Sequence, residues 1–244
     1  MKFHAISLVF FLFGINSMMG QITDPKATEV WEPEPKIVKP GTSTAPPSDA
    51  IVLFDGKNFD QWEHVNGSAV KWTLESDGTM TVKPGTEAIQ TKMGFGDAQL
   101  HLEFRAPVVV KGEGQGRGNS GVFLQSRYEL QVLDSYNNRT YSNGQVASMY
   151  KQHLPLVNAA RPPGEWQTYD IIYTAPRFND DGMLTAPARV TVMHNGVLVQ
   201  NNVEIKGGTE YIGLPKYKAH GKAPLQLQDH GDLVSFRNIW IRPL

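Results

Sequence analysis

Cysteine is absent from the 244 residues. That excludes a disulfide framework, a thiolate zinc site and a lipid-modified cysteine behind a leader. An excess of charge of either sign is lacking too: 23 basic residues face 24 acidic ones. Neither an electrostatic footprint for nucleic acid nor a polybasic membrane patch is therefore expected. No apolar run reaches the ~20 residues that cross a bilayer. The nearest, Ile6 to Ile15, is broken by Gly14 and Asn16. With Lys2 and His4 before it and the small-residue exit Ser17 to Gly20 after it, this run reads as a secretory signal over residues 1–20. Cleavage near Gly20-Gln21, a periplasmic or secreted location and no membrane insertion follow as expectations. No stretch carries a long apolar stripe of period 3.6, and neither H-x-H nor H-E-x-x-H occurs, so neither a helical fold nor a firm metal motif is indicated.

What is present is turn chemistry between short alternating runs. Residues 21–49 hold Pro25, Pro33, Pro35, Pro40, Pro46 and Pro47 and read as an extended arm. Trp31 and the pair Ile37-Val38 predict that part of this arm straps onto the domain surface. A single domain over 50–244 follows. Asp77-Gly78 and Asn195-Gly196 are hairpin signals, because both pairs readily take positive φ angles. Leu100, Leu102 and Phe104 alternate with His101, Glu103 and Arg105; Trp166 to Thr174, Ala188 to Met193 and Leu233 to Ile241 read as strands as well. About a dozen such strands predict an all-β, two-sheet antiparallel sandwich of jelly-roll type.

The most informative stretch is Arg117 to Asp134, RGNSGVFLQSRYELQVLD. Gly116 to Gly121 formally matches G-x-G-x-x-G, but that fingerprint aims a helix N-terminus at a pyrophosphate, whereas a β-branched and aromatic strand follows here. No nucleotide is expected. In the second strand, Tyr128 to Leu133, side chains alternate, so Glu129 and Gln131 share one face and Leu130 and Val132 the other. A bulge after Gln131 would bring Asp134 onto the polar face beside Glu129. With Arg127, Asn119 and Gln125 a few residues away, these groups form a candidate site rather than the wet side of a sheet. Tyr150, Lys151 and His153 sit in the long irregular section Ser135 to Glu165, spaced to offer an aromatic ring, a cation and an imidazole to a pocket.

Seven motifs in order, Leu53-Phe54-Asp55-Gly56 with Trp62, Glu103-Phe104-Arg105, Asn119-Ser120-Gly121-Val122-Phe123, Tyr128-Glu129-x-Gln131 with Asp134, Gly164-Glu165-Trp166, Leu227-Gln228-x-His230 and Phe236-Arg237-Asn238-Ile239, resemble the 3-keto-disaccharide hydrolase domain family. The resemblance covers Ile51 to Leu244 and departs at Gln167, where asparagine is expected. It implies a concanavalin A-like lectin/glucanase type of jelly roll with a concave sugar-binding face and a small carbohydrate as substrate. It implies Glu129 or His230 as base, Arg127, alone or with a divalent cation, as stabiliser of an enolate oxygen, and Asp134 as helper. Asn119, Gln131, Glu103, Arg105 and Gln228 would bind hydroxyls. Two rival readings stand beside it: a retaining glucanase using Glu129 and Asp134, whose spacing follows the glucanase pattern E-x-D-x-x-E with Gln131 in the middle place, and a non-catalytic sugar-binding module.

Overall fold

The computed structural model describes residues 22–42 and 45–244; the expected signal over residues 1–20 lies outside them. The chain divides into two compact units between Ile37 and Val38. In the first, Asp24 caps a 3-10 turn over Pro25–Thr28 by accepting from the Lys26 amide. Trp31 is 79% exposed, and its indole N–H donates to Glu29. The rest of the expected arm, from Val38, belongs to the second unit. There Lys39 N donates to Ser48 Oγ, and Arg242 Nε donates to Asp49 at 2.7 Å.

The second unit is built from β1 (Ile51–Phe54), β2 (Trp62–His64), β3 (Thr73–Leu74), β4 (Met80–Thr81), β5 (Ile89–Phe95), β6 (Ala98–Arg105), β7 (Ser120–Leu124), β8 (Tyr128–Val132), β9 (Gln167–Thr174), β10 (Arg177–Phe178), β11 (Leu184–Ala186), β12 (Arg189–His194), β13 (Val197–Glu204), β14 (Ala223–Leu227) and β15 (Ser235–Pro243). An eight-stranded sheet runs β13-β12-β9-β6-β15-β4-β3 with β1 also on β15, and a five-stranded sheet runs β2-β5-β14-β7-β8. Every pairing is antiparallel, including the small β10-β11 ribbon. The all-β antiparallel sandwich is as the alternation indicated. Among the described residues no helix is long and apolar enough to cross a membrane.

Period-two burial explains why these segments pair as they do. Along β9, Tyr169, Ile171 and Tyr173 are buried while Asp170, Ile172 and Thr174 are exposed, so only one register sends the apolar set inward. One continuous core takes Leu100, Leu102, Phe104, Tyr169 and Phe236 from the larger sheet and Ile89, Val122, Leu130 and Leu227 from the smaller. The Asn-Gly hairpin forms as expected: Asn195 (φ 52) and Gly196 (φ 79) link β12 to β13, the twist that suits adjacent strands. The β7-β8 turn is different. Its positive-φ residues are Gln125 (φ 51) and Ser126 (φ 56), neither of them glycine. Gln125 is held there by its own buried amide, which donates to Phe95 O and accepts from the Tyr173 hydroxyl at 2.8 Å. Gln125 is thus a strut between the sheets rather than part of a site.

Candidate functional site

All five residues of β8 are buried, so its polar face is not the wet side of a half-exposed sheet. Strand β8 lies at the edge of the five-stranded sheet, and its free edge is taken up by the loop after it. Ala147 N donates to Gln131 O, Gln131 N to Ser148 O and Tyr150 N to Glu129 O. Thr209 Oγ1 accepts from the Glu129 amide at 2.9 Å. Loop and edge satisfy each other's backbone groups, which an exposed edge would leave open. The covering leaves Glu129 5% and Gln131 1% exposed.

Over this face lies a cavity of about 280 Å³. Glu129, Gln131, Asn119, Gln228, Tyr150 and His230, all singled out in the sequence, line it. Phe123, from the motif that begins at Asn119, completes the wall with Gln115, Thr209 and Tyr211, which the sequence reading did not single out. Register explains the core of this set: Phe123 is paired with Glu129 and Gly121 with Gln131, while β14 leads into Gln228, whose backbone N–H donates to Gly121 O at 3.0 Å. Gly121 is required by close approach. A Cβ there would stand 2.8 Å from Glu129 Oε1 and 2.9 Å from the Phe123 ring, so only glycine leaves the carboxyl its place.

The cavity has one carboxyl group and a neutral polar lining. Desolvation by burial pushes Glu129 up to about 8. The carbonyl oxygen Oε1 of Gln228 is buried without a partner among the described residues, an acceptor set where a ligand hydroxyl would meet it. Asn119 is held by its side-chain donation to Gln115 O at 2.7 Å and by Asp232, which accepts its backbone N–H. His230 is exposed at the cavity mouth, on a turn in which Asp229 accepts from Gly231 N and Thr86 N. Lys151 stands behind the lining, its ammonium 4.3 Å from the Tyr211 ring centroid and bonded to Tyr211 O.

Six expected site residues lie elsewhere. The β7-β8 register runs without a shift, so the expected bulge is absent and Asp134 does not join Glu129. Asp134 instead binds Arg117 Nε at 2.7 Å and lines a separate cavity with Val108 and Asp232. Arg127 closes the hairpin, donating to Gln125 O, and does not line the Glu129 cavity. His153 bonds Glu204 O at 2.7 Å. Lys151, as described, backs the wall rather than forming it. Glu103 and Arg105 belong to β6 in the other sheet. Against desolvation, which would raise it, the imidazole of His101 at 3.9 Å and hydrogen bonds from Asn238 and Arg237 hold Glu103 down at about 2. Arg105 lies over Trp166 at 4.6 Å, with Arg237 over the same ring at 4.0 Å. At Gln167 the departure from the family pattern still makes the local turn contact, since its amide both accepts from Arg161 N and donates to Arg161 O.

A divalent cation does not fit the cavity on protein ligands. Among the described residues no group of three His, Cys, Asp or Glu side chains could hold a metal ion, and the cavity itself offers one carboxylate and one imidazole.

Comparison with known proteins agrees with the fold. A Parabacteroides distasonis protein whose crystal structure carries a provisional glycosyl hydrolase designation is 53% identical, with TM-score 0.87 over 91% of this chain and 97% of that one. A second structure from that organism with the same provisional designation, at 23% identity and TM-score 0.58, shares the fold over 80% of this chain and 94% of its own. The 3-keto-disaccharide hydrolase of Bacteroides thetaiotaomicron is 27% identical over 80% of this chain and 78% of that protein. Residues 49–242 match the model of the 3-keto-alpha-glucoside-1,2-lyase-like domain, and the chain belongs to that family.

Proposed function

We propose that the cavity over β8 cleaves the glycosidic bond of 3-keto-glucosides by removing the C2 proton, expelling the C1 aglycone and adding water across the resulting double bond. One observation carries this: Glu129 is the lone carboxyl group of the cavity, buried among neutral amides. A retaining glycosidase needs two carboxyl groups ~5 Å apart, and the other candidate, Asp134, is committed to Arg117. Elimination needs less. A ketone at C3 acidifies the C2 hydrogen, so one weak base and one acid suffice, and Glu129 with His230 supplies that pair. The rings of Phe123, Tyr150 and Tyr211 offer apolar surface to the sugar's C–H faces, and Gln228 and Asn119 offer partners for its hydroxyls. The leader-like sequence of residues 1–20 supports a location outside the cytoplasm for this reaction.

The test is a paired assay of the purified chain on a glucoside and its 3-keto derivative. Release of aglycone from the 3-keto compound alone is the expected result; equal action on both, or on the parent glucoside only, would sink the reading. In the same assay, Gly121→Ala should lose about 10- to 100-fold in turnover through displacement of the Glu129 carboxyl, the scale of a ~1 Å misplacement. A far-UV melt would show that the sandwich is retained. Unchanged kinetics would mean that the carboxyl position does not matter.

A further inference from the structure

We propose that Gln115 and Gln131 hold Glu129 as the neutral acid in the ligand-free protein, so that it enters the reaction as proton donor and leaves C2 deprotonation to His230. This deepens the reading above and rests on it for the chemistry, though not for the proton. Gly144 O is a backbone carbonyl and can only accept. The Gln115 side-chain nitrogen donates to it at 2.8 Å and to Thr140 Oγ1 at 3.0 Å. Gln115 is thereby fixed in orientation, and its Oε1 is turned toward Gln131.

The Gln131 nitrogen donates to that oxygen at 3.0 Å. An amide is planar, with oxygen and nitrogen on opposite arms, so the Gln131 oxygen points to the other side. There it stands 3.1 Å from Glu129 Oε1 and 3.2 Å from Ser120 O. If Glu129 is ionised, two acceptors face one another at hydrogen-bond distance. If it is protonated, the same contact is an O–H···O=C bond.

Turning Gln131 over would give an ionised Glu129 an N–H donor, but would set the Gln131 oxygen against Gln115 Oε1 at 3.0 Å. Turning both amides would set Gln115 Oε1 against Gly144 O at 2.8 Å. Each arrangement with a carboxylate thus keeps a short opposition of acceptors. The neutral acid leaves only the contact with Ser120 O, the longest of these distances. The two glutamines therefore act as a relay that reads the polarity of Gly144 O and imposes it on Glu129.

The surroundings agree. Glu129 is 5% exposed, and burial is the cause that raises it. The titratable groups sharing the cavity are Tyr150, Tyr211 and His230. Lys151, the nearby cation, lies over the rings of Tyr211, Tyr150 and Tyr141 at 4.3, 5.6 and 5.9 Å rather than on the carboxyl. Gln115 and Gln131 are positioning residues in this scheme.

The steps balance. His230 takes the C2 proton, and the electrons of that bond pass through the enolate to form C1=C2 as the C1–O bond breaks. The departing oxygen takes the Glu129 proton. Glu129, now a carboxylate, removes a proton from water attacking C1, and the imidazolium of His230 returns a proton to C2. Aglycone and 3-keto sugar leave, with both side chains restored.

The experiment is a carboxyl 13C NMR titration of the full chain labelled at glutamate, without substrate, the Glu129 signal being the one absent from Glu129→Gln. In the wild type this carboxyl is expected to be neutral at pH 7. In Gln115→Ala the Gln131 amide is released to turn its N–H toward Glu129. The midpoint should then fall by about 1 pH unit or more, a tenfold change in the ratio of ionised to neutral forms. A wild-type Glu129 ionised at pH 7 overturns the proposal whether or not the variant folds. A folded Gln115→Ala with an unmoved midpoint overturns the relay, since burial alone would then be sufficient. Failure of the paired glucoside assay would sink the proposed reaction while leaving this titration as it stands.

Discussion

Glu129→Gln should lose about 100-fold or more in turnover, the range for removal of a positioned acid or base, and at the same time become more stable than the wild type at pH 7 to 8. The two effects have one cause. Burial lifts the Glu129 carboxyl from 4.5 to about 8 in the folded chain, so folding favours its protonated form. Its contribution to stability is fully present below pH 4.5, where folded and unfolded chains both carry the proton. It is lost as pH rises toward about 8, because the unfolded chain ionises and the folded one resists. Glutamine has the shape and neutrality of the protonated acid and carries no such penalty. The stability difference between variant and wild type should therefore be small at pH 4 and grow to pH 8. At ~1.4 kcal/mol per pH unit its ceiling is ~5 kcal/mol. Thermal melts at a series of pH values, beside kinetics on the 3-keto substrate, check both halves. Glu103→Gln is the control with opposite signs. Its carboxylate, bound to Arg237 at 2.7 Å and Asn238 at 2.8 Å, lies in the other sheet. That variant should keep kcat/KM and lose ~1–3 kcal/mol. An active, destabilised Glu129→Gln would make Glu129 a structural partner instead.

The strands were legible because period-two alternation and Gly-containing turns are local signals. Tyr169, Ile171 and Tyr173 need only their own neighbours to declare a buried face. The centre of the site was legible for the same reason: Glu129 and Gln131 are polar positions in an otherwise apolar strand, followed in sequence by a loop long enough to cover them. What failed were inferences about charge. Asp134, Glu103, Arg105, Arg127 and His153 each looked available in sequence, and each is taken up by a partner or held away from the cavity, such as Arg117 for Asp134, 17 residues away, or Arg237 for Glu103, 134 residues away. Sequence shows a charge but not who neutralises it. Gln115, Thr209 and Tyr211 were missed for the converse reason. They are uncharged loop residues brought over β8 by contacts such as Thr209 N to Arg127 O, and no local pattern marks them. Gly121 did carry a signal. A glycine inside a β-branched and aromatic strand marks close approach, here that of a carboxyl group.

Turnover of a 3-keto-glucoside in D2O should place deuterium at C2 of the 3-keto sugar in essentially every product molecule. Elimination breaks the C2–H bond and hydration re-forms it, and the proton that returns comes from a group open to solvent: His230 is exposed at the cavity mouth, where its ring N–H exchanges with the medium. Displacement at C1 by a carboxylate or by water would leave C2 untouched. A sugar-binding module would release no product at all. The C3 carbonyl is the physical reason for the difference, because it alone brings the C2 hydrogen within reach of a side-chain base near neutral pH. Mass spectrometry of the released sugar, with NMR to locate the label, reads the outcome directly. His230→Ala should abolish C2 exchange together with cleavage if the imidazole is the base. Glu129→Gln should slow aglycone release more than C2 exchange, since the enolate can still form and be reprotonated when the acid for the leaving oxygen is missing. Product without deuterium at C2 would overturn the elimination path even if 3-keto-glucosides proved to be the substrates.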